Sequence, residues 1–284
     1  MIRVGISGWR YAGWRGVFYP SGLPQRRELE YAAQHLTSIE VNGSFYALQR
    51  PSTYRAWAEQ VPDDHLFAVK GPRYITHMRK LVDVEAPLGT FLASGPLTLG
   101  HRLGPLLWQL PAQLGFHPER LAAFFDLLPR RTSEASTFAQ AHHDPTKLKE
   151  PPDTTSPIDQ PLRHVLEVRH DSYRTPEFCE LLRAHDIGMV VADSAGQWPM
   201  FEDVTSDLVY VRLHGDTELY TSGYSPEALD RWAEKVRAWD AAGLDVVVYF
   251  DNDARTHAPF DAIALQERLG ITAPAAGGEP TAGA

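Results

Sequence analysis

Short apolar runs alternate with amphipathic stretches along most of the 284-residue chain. Such runs, bounded by turn residues, predict buried β-strands at Ile2–Ser7, Ser38–Asn42, Leu66–Lys70, Pro105–Leu110, His164–Arg169, Gly188–Asp193, Leu208–His214 and Leu244–Asp251. The stretches between them predict helices. "RRELEYAAQH" carries one apolar stripe. "RPSTYRAWAEQVP" offers Ser52 as an N-cap. "HPERLAAFFDLLP" opens on a first-turn proline and is stopped by Pro129. "RTPEFCELLRAHDI" pairs Thr175 as N-cap with Pro176 at the first helical position. "SPEALDRWAEKVRAWDAAG" repeats the device with Ser225 and Pro226 and ends at Gly243. Eight strands alternating with helices predict a parallel sheet with crossovers. Eight strands in one chain of this size favour closure into a single (β/α)8 TIM-type barrel over residues 1–270. Residues 130–162, polar and rich in proline, are expected as a surface loop insertion with a short helix. Residues 271–284 are low in complexity and expected to be disordered.

Side chains alternate along a strand, so the polar positions can be assigned to one face. In "SIEVNG" Glu40 and Asn42 oppose Ile39 and Val41. In "LFAVKG" Lys70 opposes Val69. In "VLEVRH" Glu167 and Arg169 oppose Leu166 and Val168. In "YVRLHG" Tyr210, Arg212 and His214 oppose Val211 and Leu213. In "VVVYFD" Tyr249 and Asp251 oppose Val248 and Phe250. The outer face of a barrel strand packs on helices and must be apolar, so the polar set points inward. It sits at the C-terminal strand ends, where barrels of this type place their chemistry. Ser7, Gln109 and Asp193 are assigned to the same inward phase.

Composition narrows the function classes. Formal net charge is −9, so the surface as a whole repels nucleic acid and anionic membrane. The single cysteine, Cys179, excludes a disulfide framework and thiolate-rich metal sites, and fits a reducing, cytoplasmic setting. No apolar run is long enough for a membrane span, and the first residues form a strand rather than a signal sequence. There is no glycine-rich dinucleotide fingerprint after the first strand, and no cofactor is expected.

The motifs "GISGWRYAGWRGVFYP", "IEVNGSFYALQRP", "FAVKGPRYITH", "LLWQLP", "LEVRHDSY", "YVRLHG" and "VYFDNDARTHAPFDAIAL" together resemble the YecE-like uncharacterised family, over residues 2 to about 269. The resemblance implies a TIM barrel and no defined reaction. Barrels of this family have been likened to endonuclease-IV-type barrels, which implies nucleic-acid binding or phosphodiester hydrolysis as one function. Two places depart from the family's pattern: "SY" after "EVRHD" stands where serine and tryptophan are expected, and "DNDARTHAP" replaces an asparagine-rich turn with glycine and alanine. Neither touches the polar strand ends.

These residues support several chemistries. In the preferred one, Lys70, Arg169 and Arg212 hold a phosphate or carboxylate. Glu40 and Glu167 form an acid–base pair, and His214 carries a proton. Asn42, Gln109, Asp193 and the aromatic side chains Trp9, Tyr46 and Tyr74 complete a site for a phosphorylated or carbohydrate-like molecule. Tyr11, Trp14, Tyr220 and Tyr224 are further candidates for an aromatic ring around the mouth, although Trp14, Phe18, Tyr19 and Phe45 also suit packing of the loops onto the barrel. Three alternatives stay open. His77, His214, His257, Glu40, Glu167, Asp193 and Asp251 include metal-ligand types, but no pair has a local ligand spacing, and no metal is assigned. Lys70 has the position of a Schiff-base nucleophile. The charges also satisfy one another in a purely structural network. A small-molecule binding protein without catalysis is the other function class.

Overall fold

The structure is a computed structural model that describes residues 1–272. Its eight strands are β1 (Ile2–Ser7), β2 (Ser38–Val41), β3 (Leu66–Lys70), β4 (Leu103–Gln109), β5 (His164–Glu167), β6 (Ile187–Asp193), β7 (Leu208–Leu213) and β8 (Asp245–Phe250). Each pairs in parallel with the next, and β8 closes on β1. This is the (β/α)8 barrel. All eight strands lie within two residues of the positions their apolar runs predict, because the outward face of each strand packs on the surrounding helices and stays apolar along its length.

Helices clothe the barrel: α1 (Glu28–His35), the single turn α2 (Gly43–Tyr46), α3 (Pro51–Glu59), α4 (Glu85–Ala93), α5 (Pro118–Leu127), α6 (Thr132–His142), α7 (Pro176–Ala184), α8 (Pro226–Ala241) and α9 (His257–Leu269). The caps at Thr175 and Ser225 accept from the backbone N–H groups of Phe178 and Ala228. Ser52 does not cap α3. Arg50 holds that position, and Ser52 instead donates to Glu150 from inside the helix.

Two connections differ from the expected pattern. Residues 130–162 carry α6, a helix of 11 residues. It packs on α4 so closely that a Cβ on Gly89 would lie 2.9 Å from His142. This covering explains why α4 shows no amphipathic stripe: residues 88–93 are all buried. The link from β6 to β7, residues 194–207, contains no α-helix and instead runs as an irregular loop beside the mouth. The expected disordered tail lies outside the described residues, except for Ile271 and Thr272, and Ile271 packs on the core.

Inside the barrel the layers are distinct. Towards the N-terminal end, Leu107, Val165, Val190, Leu208 and Val247 form an apolar filling. Gly5 supplies no side chain there because a Cβ would fall 1.8 Å from the Ser38 carbonyl oxygen of the neighbouring strand. Tyr210 and Tyr249 lie above, with ring centroids 5.1 Å apart. The layer above the tyrosines is charged.

Candidate functional site

Arg212 is the centre of that layer and has no exposed surface. Its Nε and Nη2 donate to the two oxygens of Glu40 at 3.0 and 2.9 Å. Its Nη1 donates to Glu167 Oε2 at 2.7 Å, and Nη2 also donates to Asp251 Oδ2 at 2.9 Å. The register explains the convergence: Ser7 sits opposite Glu40, Gln109 opposite Glu167 and Arg212 opposite Tyr249. One arginine therefore meets carboxylates from three other parts of the barrel. Its guanidinium is held charged by them, against the desolvation that opposes it.

Glu40 is equally committed. Besides Arg212, it accepts from Ser7 Oγ and from Tyr210 Oη, the latter at 2.6 Å. Asn42 Nδ2 donates to Ser7 Oγ at 2.5 Å, and its Oδ1 is buried without a partner among the described residues. Glu167 has no exposed surface and accepts from Arg169 Nε at 2.7 Å as well as from Arg212. Desolvation would raise the carboxyls of Glu167 and Asp251. The neighbouring cations outweigh it, Arg169 and then Arg212 at Glu167 and Arg212 first at Asp251, and hold both well below the usual range.

His214 lies beside this network. Its Nε2 lies 3.5 Å from Arg212 Nη1, a group that can only donate. Nδ1 sits 3.0 Å from Asp251 Oδ2, off the line of a good hydrogen bond. Tyr220 and Trp198 pack edge-on against the imidazole.

Two cations reach the rim. Arg169 lies over the Trp198 ring, 3.7 Å from its centroid, and its Nη1 has no hydrogen-bond partner among the described residues. Lys70 is 7% exposed. Its Nζ lies 4.5 Å from the centre of the Phe45 ring and, among the described residues, makes no hydrogen bond and no ion pair within 4.0 Å. Burial first, and the Arg212 charge second, push its pKa down to about 8, against the pull of Glu40, Glu167 and Asp251. His77 sits against Phe45, with ring centroids 5.1 Å apart. Burial, Lys70 and Arg169 hold it down to about 4, so it is neutral at pH 7.

The structure thus brings together Glu40, Asn42, Glu167, Arg169, Arg212 and His214, with Lys70 and Gln109 on the inward face above the apolar layer. It does not bring Asp193 there. Asp193 shares its phase with Val191, which packs outward, while Ala192 is the inward residue opposite Arg212. Asp193 instead accepts from Tyr224 Oη at 3.2 Å, and burial raises its pKa. The strand was assigned the wrong phase because small Ala192 carries no polar mark. Trp9 is also displaced from the charged cluster: it is buried edge-on against Trp57. It lines a groove of about 250 Å³ with Asn42 and Tyr46. Tyr46 and Tyr74, both exposed, border a neighbouring groove of about 870 Å³ with Phe45 and Lys147. Trp14, Phe18, Tyr19, Phe45 and Tyr224 are buried packing residues.

The sequence assigns Asp251 to the inward polar set but names a role for it only among metal-ligand types, and it gives no sign of Trp198. Trp198 arrives on the helix-free β6–β7 loop, which no periodicity marks. Among the described residues, no three His, Cys, Asp or Glu side chains gather in a way that could hold a metal ion. Among them, too, no helix is long and apolar enough to cross a membrane.

Comparison with known proteins agrees with the barrel. The chain is 30% identical over 143 residues to the UPF0759 protein YecE of Escherichia coli K12, covering 50% of this chain and 49% of that protein. It is 25% identical over 127 residues to the UPF0759 protein YunF of Bacillus subtilis 168, covering 43% and 44%. The matched stretches thus span about half the length of these curated relatives or a little less. A DUF72 family protein from Thermotoga maritima MSB8 shares the fold with a TM-score of 0.76 at 24% identity, covering 95% of this chain and 99% of that one. One from Enterococcus faecalis V583 gives 0.72 at 19% identity, covering 95% and 96%. Residues 3–283 match the family described as "Protein of unknown function DUF72", and with nearly the whole chain inside that match, the protein belongs to the DUF72 family.

Proposed function

We propose that the barrel mouth is an acid–base site for a small anionic molecule, phosphorylated or carbohydrate-like. One observation carries the reading: the cluster uses up its inner charges and leaves two cations at the rim. Arg212 and Glu40 have no hydrogen-bonding capacity to spare, so their part is to fix the positions of their neighbours. Arg169, backed by Glu167 and laid flat on Trp198, presents its free Nη1 edge, and Lys70 supplies the second positive charge. A phosphate or carboxylate between them replaces the water each has lost. Asn42 and Gln109 are the amides available for hydroxyl groups. His214, set by Arg212 on one side and Asp251 on the other, is the proton carrier.

Calorimetric titration with inorganic phosphate and a panel of sugar phosphates tests this. The wild type binds, and Arg169→Ala weakens binding by about tenfold or more, in line with loss of a charge-assisted contact. Lys70 is protonated below its pKa, so affinity holds at neutral pH and falls as pH rises through about 8. Asp251→Asn leaves binding in place and abolishes turnover of whichever ligand reacts. Absence of any anion binding, or binding indifferent to Arg169, overturns the reading.

A further inference from the structure

The chain contains five lysines and 22 arginines. Lys80, Lys147 and Lys149 are exposed, Lys235 is half-buried, and Lys70 is buried. Where charge alone is needed in the cluster, the chain uses arginine, as at Arg169 and Arg212. The exception stands at the end of β3. An arginine cannot shed its proton in a protein, whereas a lysine can. The surroundings of Lys70 favour that loss. The carboxylates nearest to it are already engaged by Arg212 and Arg169. Nζ itself has no counter-ion within 4.0 Å among the described residues and is covered by the Phe45 ring. A desolvated lysine beside a fixed guanidinium is the arrangement that makes an amine nucleophilic near neutrality. The groups around it are Arg169 and Glu167 from β5 and its end, Arg212 from β7, Glu40 from β2, Asp251 after β8 and neutral His77 from the loop after β3.

We propose that Lys70 is a carbonyl-condensing nucleophile that forms an imine with the aldehyde or keto group of a small oxo-compound whose phosphate or carboxylate is held by Arg169. This rests on the anion-binding reading above. The neutral Nζ attacks the carbonyl carbon and forms the C–N bond. The carbonyl π pair moves to oxygen, which takes the proton released from nitrogen. The resulting carbinolamine loses that hydroxyl together with the second Nζ hydrogen as water, leaving C=N. Nothing is oxidised or reduced, and hydrolysis runs the same steps backwards.

Glyoxylate, a small anionic aldehyde, is the probe. The full chain is incubated with it near neutral pH, and cyanoborohydride is added to deliver hydride to the imine carbon. This fixes a carboxymethyl group on the reacting nitrogen. Peptide mapping then reads all five lysines at once, so the exposed lysines serve as internal references and no variant has to fold. Lys70 is expected to be labelled about tenfold faster or more than Lys80, Lys147 or Lys149, since its neutral fraction at that pH is far larger than that of an ordinary lysine. Labelling should rise with pH through about 8 and be slowed by inorganic phosphate. Labelling confined to the surface lysines overturns the proposal. If Lys70 stays unmodified while phosphate still binds in an Arg169-dependent way, the imine chemistry falls and the anion site stands. If phosphate does not bind and Lys70 is unmodified, both fall.

Discussion

Along β7 and just past its end, the inward side chains are Leu208, Tyr210, Arg212 and His214, and they pass from one kind of interior to another. At the N-terminal end, Leu208 packs with Val165, Val190 and Val247 in a filling that needs no partners beyond contact. Burying such a side chain contributes about 1.5–3 kcal/mol. Near the C-terminal end, Arg212 sits among three carboxylates, where each charge costs several kcal/mol to desolvate and is compensated only by its partners. Tyr210 is the seam, its ring on Tyr249 and its hydroxyl on Glu40. Apolar packing serves stability at less cost, and it is the costlier, charged half that carries the site proposed above. The histidines sharpen the contrast. His164, at the start of β5, is buried as a neutral ring that accepts from Trp108 Nε1 and donates to the Pro129 carbonyl. His214, at the other end, faces a guanidinium and a carboxylate.

Arg212→Leu should have the largest effect. It leaves Glu40, Glu167 and Asp251 buried without their shared cation, so a loss of at least about 3–5 kcal/mol is expected by urea unfolding, or failure to fold. Leu107→Ala in the apolar half should lose about 2–5 kcal/mol through its cavity, with little dependence on salt or pH. If Arg212→Leu proved neutral, the charged layer would not be interdependent in the way its hydrogen bonds indicate.

Lys70→Met runs the opposite way. The folded pKa of Lys70 lies below that of an unfolded lysine, so the unfolded chain binds the extra proton between about pH 8 and pH 10.4, and stability rises with pH across that window. The penalty is fully present at pH 7. Methionine should remove it, raising stability there by up to about 3 kcal/mol, with the gap to wild type closing by about pH 10.4. A lysine variant that is less stable at pH 7 would show the ammonium to be structurally paired.

Acid should weaken the two ends in separate steps. Burial holds His65 and His164 down to about 3, so each favours folding above the ordinary histidine range and loses that contribution as pH falls from about 6.5 towards 3. Glu167 and Asp251 are depressed carboxyls, so their contribution persists to lower pH and is lost only as pH falls below about 4. Melting temperature against pH should show the first slope disappear in a His65→Gln, His164→Gln double variant and the second remain.

Trp198→Ala should have the smallest effect on stability, about 0.5–2 kcal/mol from the lost stacking on Arg169. Its effect on phosphate affinity should exceed its effect on melting, because the ring holds the Arg169 edge that faces the rim. Equal effects on both would assign Trp198 to packing.

The eight strands and the barrel were legible in the sequence because burial on both faces writes runs rich in apolar residues, and period-two alternation then marks which polar side chains share the inward face. The caps Thr175 and Ser225 were legible for a similar reason: a local hydrogen bond needs a local residue. Glu40, Lys70, Glu167, Arg212 and His214 could be assigned to one inward set, since phase is a property of a single strand. Phase fails where the inward residue is unmarked, as at Ala192, which let Asp193 be assigned to the wrong face. Who pairs with whom is not local at all. It depended on the stagger between strands, which sets Arg212 among residues far away in sequence and leaves Lys70 without an ion-pair partner among the described residues. The placement of Trp198 over Arg169 and the covering of α4 by α6 likewise come from loops and helices meeting in space. Periodicity records what a segment buries, and only the closed barrel decides against what.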